Sequence, residues 1–73
     1  MGVRLNPLRL RHELAVRGLH SVDLARLADL SATTVSAAMQ GRRVSPRTLR
    51  KIAVALATVE VLPGTAELLD LAG

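Results

Sequence analysis

His20 to Gly41 reads HSVDLARLADLSATTVSAAMQG, and its spacing decides the fold. Two helical patterns stand back to back with almost nothing between them. Leu24, Ala25, Leu27 and Ala28 recur at helical spacing after His20-Ser21, either of which can cap a helix. Ser31 caps a second pattern that runs to about Gln40, where Val35 and Met39 are expected to face inward and Gly41 to end the helix. Only Asp29 and Leu30 separate Ala28 from Ser31. A connection this short forces the two helices to meet steeply, the geometry of a helix-turn-helix over about residues 21–40.

That geometry sorts the side chains. Leu24, Ala25, Ala28, Leu30, Val35 and Met39 take the inside positions, with Ala25 small because the next helix crosses close to it. Ala32, Thr33, Ser36, Ala37 and Gln40 take the outside, and none of them is large or charged. The second helix of such a motif enters the DNA major groove with its N-terminal residues toward the base edges. Small side chains let a helix sink deep. A Thr or Ala methyl packs on a thymine methyl, and Ser, Thr and Gln hydrogen-bond base edges. Arg42 and Arg43 follow at once and stand where they would grip phosphate at the groove's rim.

Outward from this stretch, the same punctuation recurs. Asn6-Pro7 reads as an N-cap with Pro at the first helical position, opening a helix that carries Leu10, Leu14 and Val16 and ends at Gly18. Ser45-Pro46 opens a helix in which Leu49, Ile52, Ala53 and Leu56 fit the i, i+3, i+4, i+7 template. A connector from Thr58 to Leu62 leads to a last helix over about 63–72. Its TVEVL run alternates and leaves a short strand as the other reading. The expected fold is all-α, a compact bundle of about five short helices in one domain spanning residues 1–73.

The totals set the class. At 73 residues, with no Phe, Trp or Tyr, the core must be Leu, Val, Ile and Ala, and a domain this small buries only roughly 60% of its unfolded surface. There is no cysteine, so neither a disulfide framework nor a thiolate metal site is available. His12 and His20 stand apart from any carboxylate cluster, and no serine has the partners of a nucleophile. No metal, cofactor or enzyme activity is expected. No apolar run approaches the roughly 20 residues of a membrane span, and the expectation is a soluble, cytoplasmic protein. Residues 1–51 hold all ten Lys and Arg against Glu13, Asp23 and Asp29, a formal +7, whereas residues 52–73 hold only Glu60, Glu67 and Asp70, a formal −3. A basic block of this kind suggests a polyanionic partner.

In ordered spacing, Arg17-Gly18-Leu19, Leu24-Ala25, Ala28, Leu30-Ser31, Thr34-Val35-Ser36, Gly41-Arg42 and Ser45-Pro46 with Thr48-Leu49 resemble the phage-repressor and Cro type of helix-turn-helix, the lambda-repressor-like family. The likeness covers about Leu10 to Leu56. The lac-repressor headpiece is also similar in its TTVS and VSPRTLRKI runs, but lacks a helix in front of the motif. The phage-repressor resemblance implies base contacts at Ala32, Thr33, Ser36 and Ala37. It also implies phosphate contacts at Ser21, where the family usually has Gln, and at Arg42. Ser31 and Arg47, at helix starts, and Arg43 join the expected phosphate set; Gln40 joins the base set. Arg4, Arg9, Arg11, Arg50 and Lys51 are further candidates for DNA contact. Two positions depart from the family: Asp29 replaces the usual turn glycine, and His20 stands where Ser or Thr normally caps. With alanine at 32 and 37, part of the specificity is expected from DNA shape.

The expected function is that of a sequence-specific double-stranded DNA-binding transcriptional regulator, such as a small phage, prophage or bacterial repressor or Cro-like protein. An antitoxin that uses the same fold to bind DNA and a toxin protein is the alternative, and a pure protein-interaction module a third. A weak homodimer, strengthened on DNA, is expected through Val59, Val61, Leu62, Leu68, Leu69 and Leu71.

Overall fold

Capping chemistry sets the helix boundaries. In the computed structural model, which describes residues 2–63, α1 (Pro7–Val16) begins where the Asn6 side chain accepts the Arg9 N–H at 3.1 Å, with Pro7 at its first position. The Ser31 hydroxyl accepts the Thr34 N–H at the start of α3 (Ala32–Met39), and Ser45 accepts that of Thr48 at the start of α4 (Pro46–Ala57), both at 3.1 Å. Helix α2 (Ser21–Ala28) uses a different device. His20 is its N-cap, and the Asp23 carboxylate reaches back to accept the His20 N–H at 2.9 Å. This is half of a capping box, and Ser21 is left free at the first helical position.

The first three helices end alike. Gly18, Asp29 and Gly41 adopt left-handed φ values of 69°, 55° and 74°. In each case the next residue's N–H returns to a carbonyl five back: Leu19 to Leu14 at 2.9 Å, Leu30 to Ala25 at 2.9 Å, and Arg42 to Ala37 at 3.0 Å. These are Schellman closures, which satisfy the orphan carbonyls of a helix end. Asp29 is the non-glycine member and carries the steric cost of its Cβ. Asp29→Gly is expected to stabilise the protein by about 1 kcal/mol, raising Tm by about 4–8 °C in a domain this small. Thermal unfolding followed by circular dichroism checks this, and an unchanged or lower Tm would contradict it.

The helices bury Leu10 and Leu14 from α1, Leu24, Ala25 and Ala28 from α2, Val35 and Ala38 from α3, and Ile52 and Ala55 from α4 in one cluster. The cluster is aliphatic, as the composition requires. Buried alanines lie on three of the four helices, so their backbones approach closely. Two expected inward positions shift. On α3 the fully buried partner of Val35 is Ala38, while Met39 is half-buried; on α4 it is Ala55 that packs inside, and Ala53 is exposed. Both shifts have one cause. Residues three or four apart share a helix face, and whether i+3 or i+4 is covered depends on the neighbour's position, which periodicity does not contain.

The all-α expectation holds with one addition. Val3–Arg4 (β1) and Arg43–Val44 (β2) pair antiparallel, with Val3 opposite Val44 and Arg4 opposite Arg43. Val44 joins the core and Val3 packs against it. A two-residue strand shows no alternation to read. Four helices lie within the described residues. The fifth, expected over about 63–72, lies outside them from residue 64 on, as do Leu68, Leu69 and Leu71 of the expected dimerisation surface; of its other members Val59 is half-buried and Val61 and Leu62 are exposed. Residues 58–62 form neither helix nor strand, so the strand reading of TVEVL does not hold.

Arg17 clasps this end of the molecule. Its Nε donates to the Leu56 and Val59 carbonyls, each at 3.0 Å, and its Nη1 donates to the Glu13 carbonyl at 2.9 Å and to Glu13 Oε1 at 2.7 Å. The Leu62 N–H adds a bond to the Val16 carbonyl at 2.8 Å. The hydrogen bond from Arg17 is the main cause that lowers the Glu13 pKa; partial burial opposes it, and the charge of Arg9 adds to it. A carboxylate with a depressed folded pKa stabilises above its unfolded value, about 4.3, and loses that contribution as pH falls through the lower folded value. Glu13→Gln is therefore expected to lower Tm at pH 7, with the gap to the wild type closing as the pH falls below about 4. A gap independent of pH would remove the charge from the explanation.

Candidate nucleic-acid interface

The connection between α2 and α3 is the three residues Asp29, Leu30 and Ser31, each with a separate task. Asp29 makes the left-handed turn, Leu30 packs on the core, and Ser31 caps α3. Because Val35 and Ala38 are buried, the opposite side of α3 must face outward. Ala32, Thr33, Ser36 and Gln40 are exposed there and Ala37 is half-buried, its methyl partly on the core. Together with Arg42 they line one shallow recess of about 390 Å³. The five expected base-facing residues thus converge on one surface, and one of the expected phosphate contacts joins them at its edge.

Hydrogen bonding on this surface is sparse and partly internal. Gln40 Nε2 donates to Ser36 Oγ at 3.3 Å, which leaves the Ser36 proton and the Gln40 carbonyl oxygen for an outside partner. Thr33 is exposed and makes no side-chain hydrogen bond among the described residues. Ser31 differs: its oxygen accepts the Thr34 N–H and lies 2.8 Å from Thr34 Oγ1.

The other expected phosphate contacts lie outside this recess. Ser21, at the first position of α2, lines a second recess with Arg11, His20 and Met39, of about 410 Å³. Arg43 is exposed on β2, and Arg47 is exposed in the first turn of α4. Among the described residues, Glu13 takes the two ion pairs, with Arg9 at 2.9 Å and Arg17 at 2.7 Å. Arg17, its side chain 14% exposed, is thereby committed inside the fold, whereas the pair of Arg9 lies at the surface, its side chain 74% exposed. Arg4, Arg11, Arg42, Arg43, Arg47 and Arg50 form no ion pair with a described residue, so their charge faces solvent. Lys51 Nζ points to the Asp29 carbonyl at 3.4 Å, at the back of the turn.

Two residues gain significance from the tertiary structure. Arg4 comes beside Arg43, and Arg11 comes to the recess of Ser21. Both belong to the basic block, but nothing in the local sequence places them.

A capped helix with a small-residue outer face, set by a three-residue turn on a second helix and followed at once by the exposed Arg42 and Arg43, defines a small helix-turn-helix domain. The family model of the Cro/C1-type HTH DNA-binding domain matches residues 9–58, and the chain belongs to that family. No curated protein and no solved structure matches the chain. The matched span contains all four helices except the first two residues of α1, and it ends one residue past α4. Membership makes the domain a DNA-binding one. No helix among the described residues is long and apolar enough to cross a membrane.

Proposed function

We propose that the protein is a sequence-specific double-stranded DNA-binding transcriptional regulator of the small repressor or Cro-like kind. Helix α3 enters the major groove; Thr33, Ser36 and Gln40 read base edges, and the methyls of Ala32 and Ala37 meet the groove floor. Ser21, Ser31, Arg42, Arg43 and Arg47 hold the phosphates on either side. The observation that carries this is the convergence of the five outer residues of α3 and Arg42 on one exposed recess. The role is binding rather than catalysis, and its setting is the bacterial cytoplasm, or that of a phage's host.

One helix reading three or four base pairs gives limited affinity, and such domains pair on two-fold sites about 10–10.5 base pairs apart. The chain is accordingly proposed to self-associate weakly and to dimerise on DNA. Selection of bound sites from random duplex DNA tests function and assembly together. The expected result is an enriched site with two related halves at that spacing. Absence of any enriched sequence, together with salt-independent duplex binding, would overturn the regulator. A strict monomer that saturates a two-half-site duplex at one chain would overturn the dimer.

An antitoxin of the same fold is the second reading. It is favoured by Leu27 and Val54, exposed at 50% and 57%, which border one surface depression with Arg50 and Lys51. An apolar pair of this kind can seat a protein partner such as a toxin.

A further inference from the structure

We propose that the ribbon of β1 and β2 is a second DNA-backbone clamp, in which Arg4 binds phosphate beside Arg43. The proposal rests on the DNA-binding reading above and adds to it an element that precedes the matched helices. Its basis is the register. Val3 lies opposite Val44 and Arg4 opposite Arg43, and facing residues of a pair lie on the same side of the ribbon. The valine pair is turned inward, with Val44 only 8% exposed and Val3 packed on the core, whereas both arginines are exposed. The inner pair therefore anchors the ribbon, and the outer pair projects two guanidinium groups side by side.

Like charges directly opposite each other destabilise a strand pair. Neither arginine forms an ion pair with a described residue, so this cost has no compensation among the described residues. A phosphodiester backbone supplies it, since a guanidinium presents its donors as a fork that matches phosphate oxygens. The stem of Arg43 runs beside the backbone of Gly2. Gly2 lies so close that an added Cβ would sit 2.9 Å from Arg43 Cβ and 3.4 Å from its Cδ. Position agrees with charge. Arg42 lines the recess of α3, Arg43 is the next residue, and Arg4 is its cross-strand neighbour. Chain adjacency and strand pairing thus link Arg43 and Arg4 to the arginine at the edge of the α3 recess.

The clamp predicts opposite effects on binding and on stability. Fluorescence anisotropy would follow wild type, Arg4→Ala, Arg4→Lys and Arg4→Glu on the selected duplex and on a random duplex, between 50 and 200 mM salt. Loss of one phosphate contact reduces the salt slope by about 0.9, so the fall in affinity across that range shrinks about 3.5-fold. Arg4→Ala is expected to show this on both duplexes alike, and Arg4→Lys to retain the wild-type slope. Arg4→Glu is expected to weaken binding further while raising the Tm of the free protein at low salt, because the introduced carboxylate would face Arg43 with opposite charge. An unchanged slope in Arg4→Ala, alongside strong salt-dependent binding by wild type, overturns the clamp and leaves the DNA-binding reading standing. A wild type without salt-dependent duplex binding overturns both. If Arg4→Ala lowers the Tm and affinity together, and Arg4→Lys restores neither, the residue is structural and the clamp is wrong.

Discussion

Leu24→Ala is expected to lower the stability of the free protein by about 3–4 kcal/mol, and its Tm by about 12–30 °C. Leu24 has no exposed surface and sits in the first helix of the motif, within the cluster shared by all four helices. The size of the effect follows from what surrounds it. Ala25, Ala28, Ala38 and Ala55 have no length with which to fill a void, and the long, flexible Met39 is already half-buried. The cavity would therefore persist, and residual cavities set the upper end of such losses. A domain of this size has a total stability of roughly 4–11 kcal/mol, so much of it would go. Thermal unfolding with and without a selected duplex checks both parts: the duplex, binding only the folded form, should raise the variant's Tm. A fall of less than about 4 °C, the shift expected for 1 kcal/mol, would show that the core closes around the alanine.

The largest expected effect on recognition comes from Thr33→Ala with Ser36→Ala. Each hydroxyl lies on the exposed face of α3 near its capped start, where base edges are met. Each substitution is expected to cost about 1–3 kcal/mol on the selected site and far less on random duplex. The two need not add, because Ser36 shares a hydrogen bond with Gln40 and groups in one network couple. The salt slope should stay at the wild-type value, since no phosphate contact is removed. Equal losses on both duplexes would show that these hydroxyls position the domain instead of reading sequence. Ala32→Leu is the complementary change. Ala32 is exposed and sits in the recess, so the fold should survive while docking fails. Tight specific binding by this variant would show that α3 does not lie deep in the groove.

Much of the fold is local chemistry, and local chemistry is legible in a sequence. Asn6-Pro7, Ser31 and Ser45-Pro46 start helices because a side-chain oxygen meets an orphan N–H three residues on. Gly18, Asp29 and Gly41 end helices because a left-handed residue closes the last turn. Both devices act within six residues or fewer. The short turn between two such signals then dictates the helix-turn-helix, and the outer face of α3 follows from its inner one. The charge asymmetry and the absence of aromatic residues are likewise properties of the chain itself.

Tertiary structure decided what depends on distant partners. Ala38 is buried in place of Met39 because neighbouring helices cover one of two equally helical positions, and on α4 they cover the side of Ile52 and Ala55, leaving Ala53 exposed. Arg17 clasps Leu56 and Val59 across about forty residues of sequence, and an arginine in a basic block carries no sign that it will turn inward. The ribbon pairs Arg4 with Arg43 although each strand is two residues long, too short for any alternation to show. Helix starts and stops, and the outward face of α3, follow from neighbouring residues alone, because those bonds close within a turn or two of chain. Which arginines hold the fold together and which remain free to meet a phosphate backbone was decided only when distant segments of the chain came together.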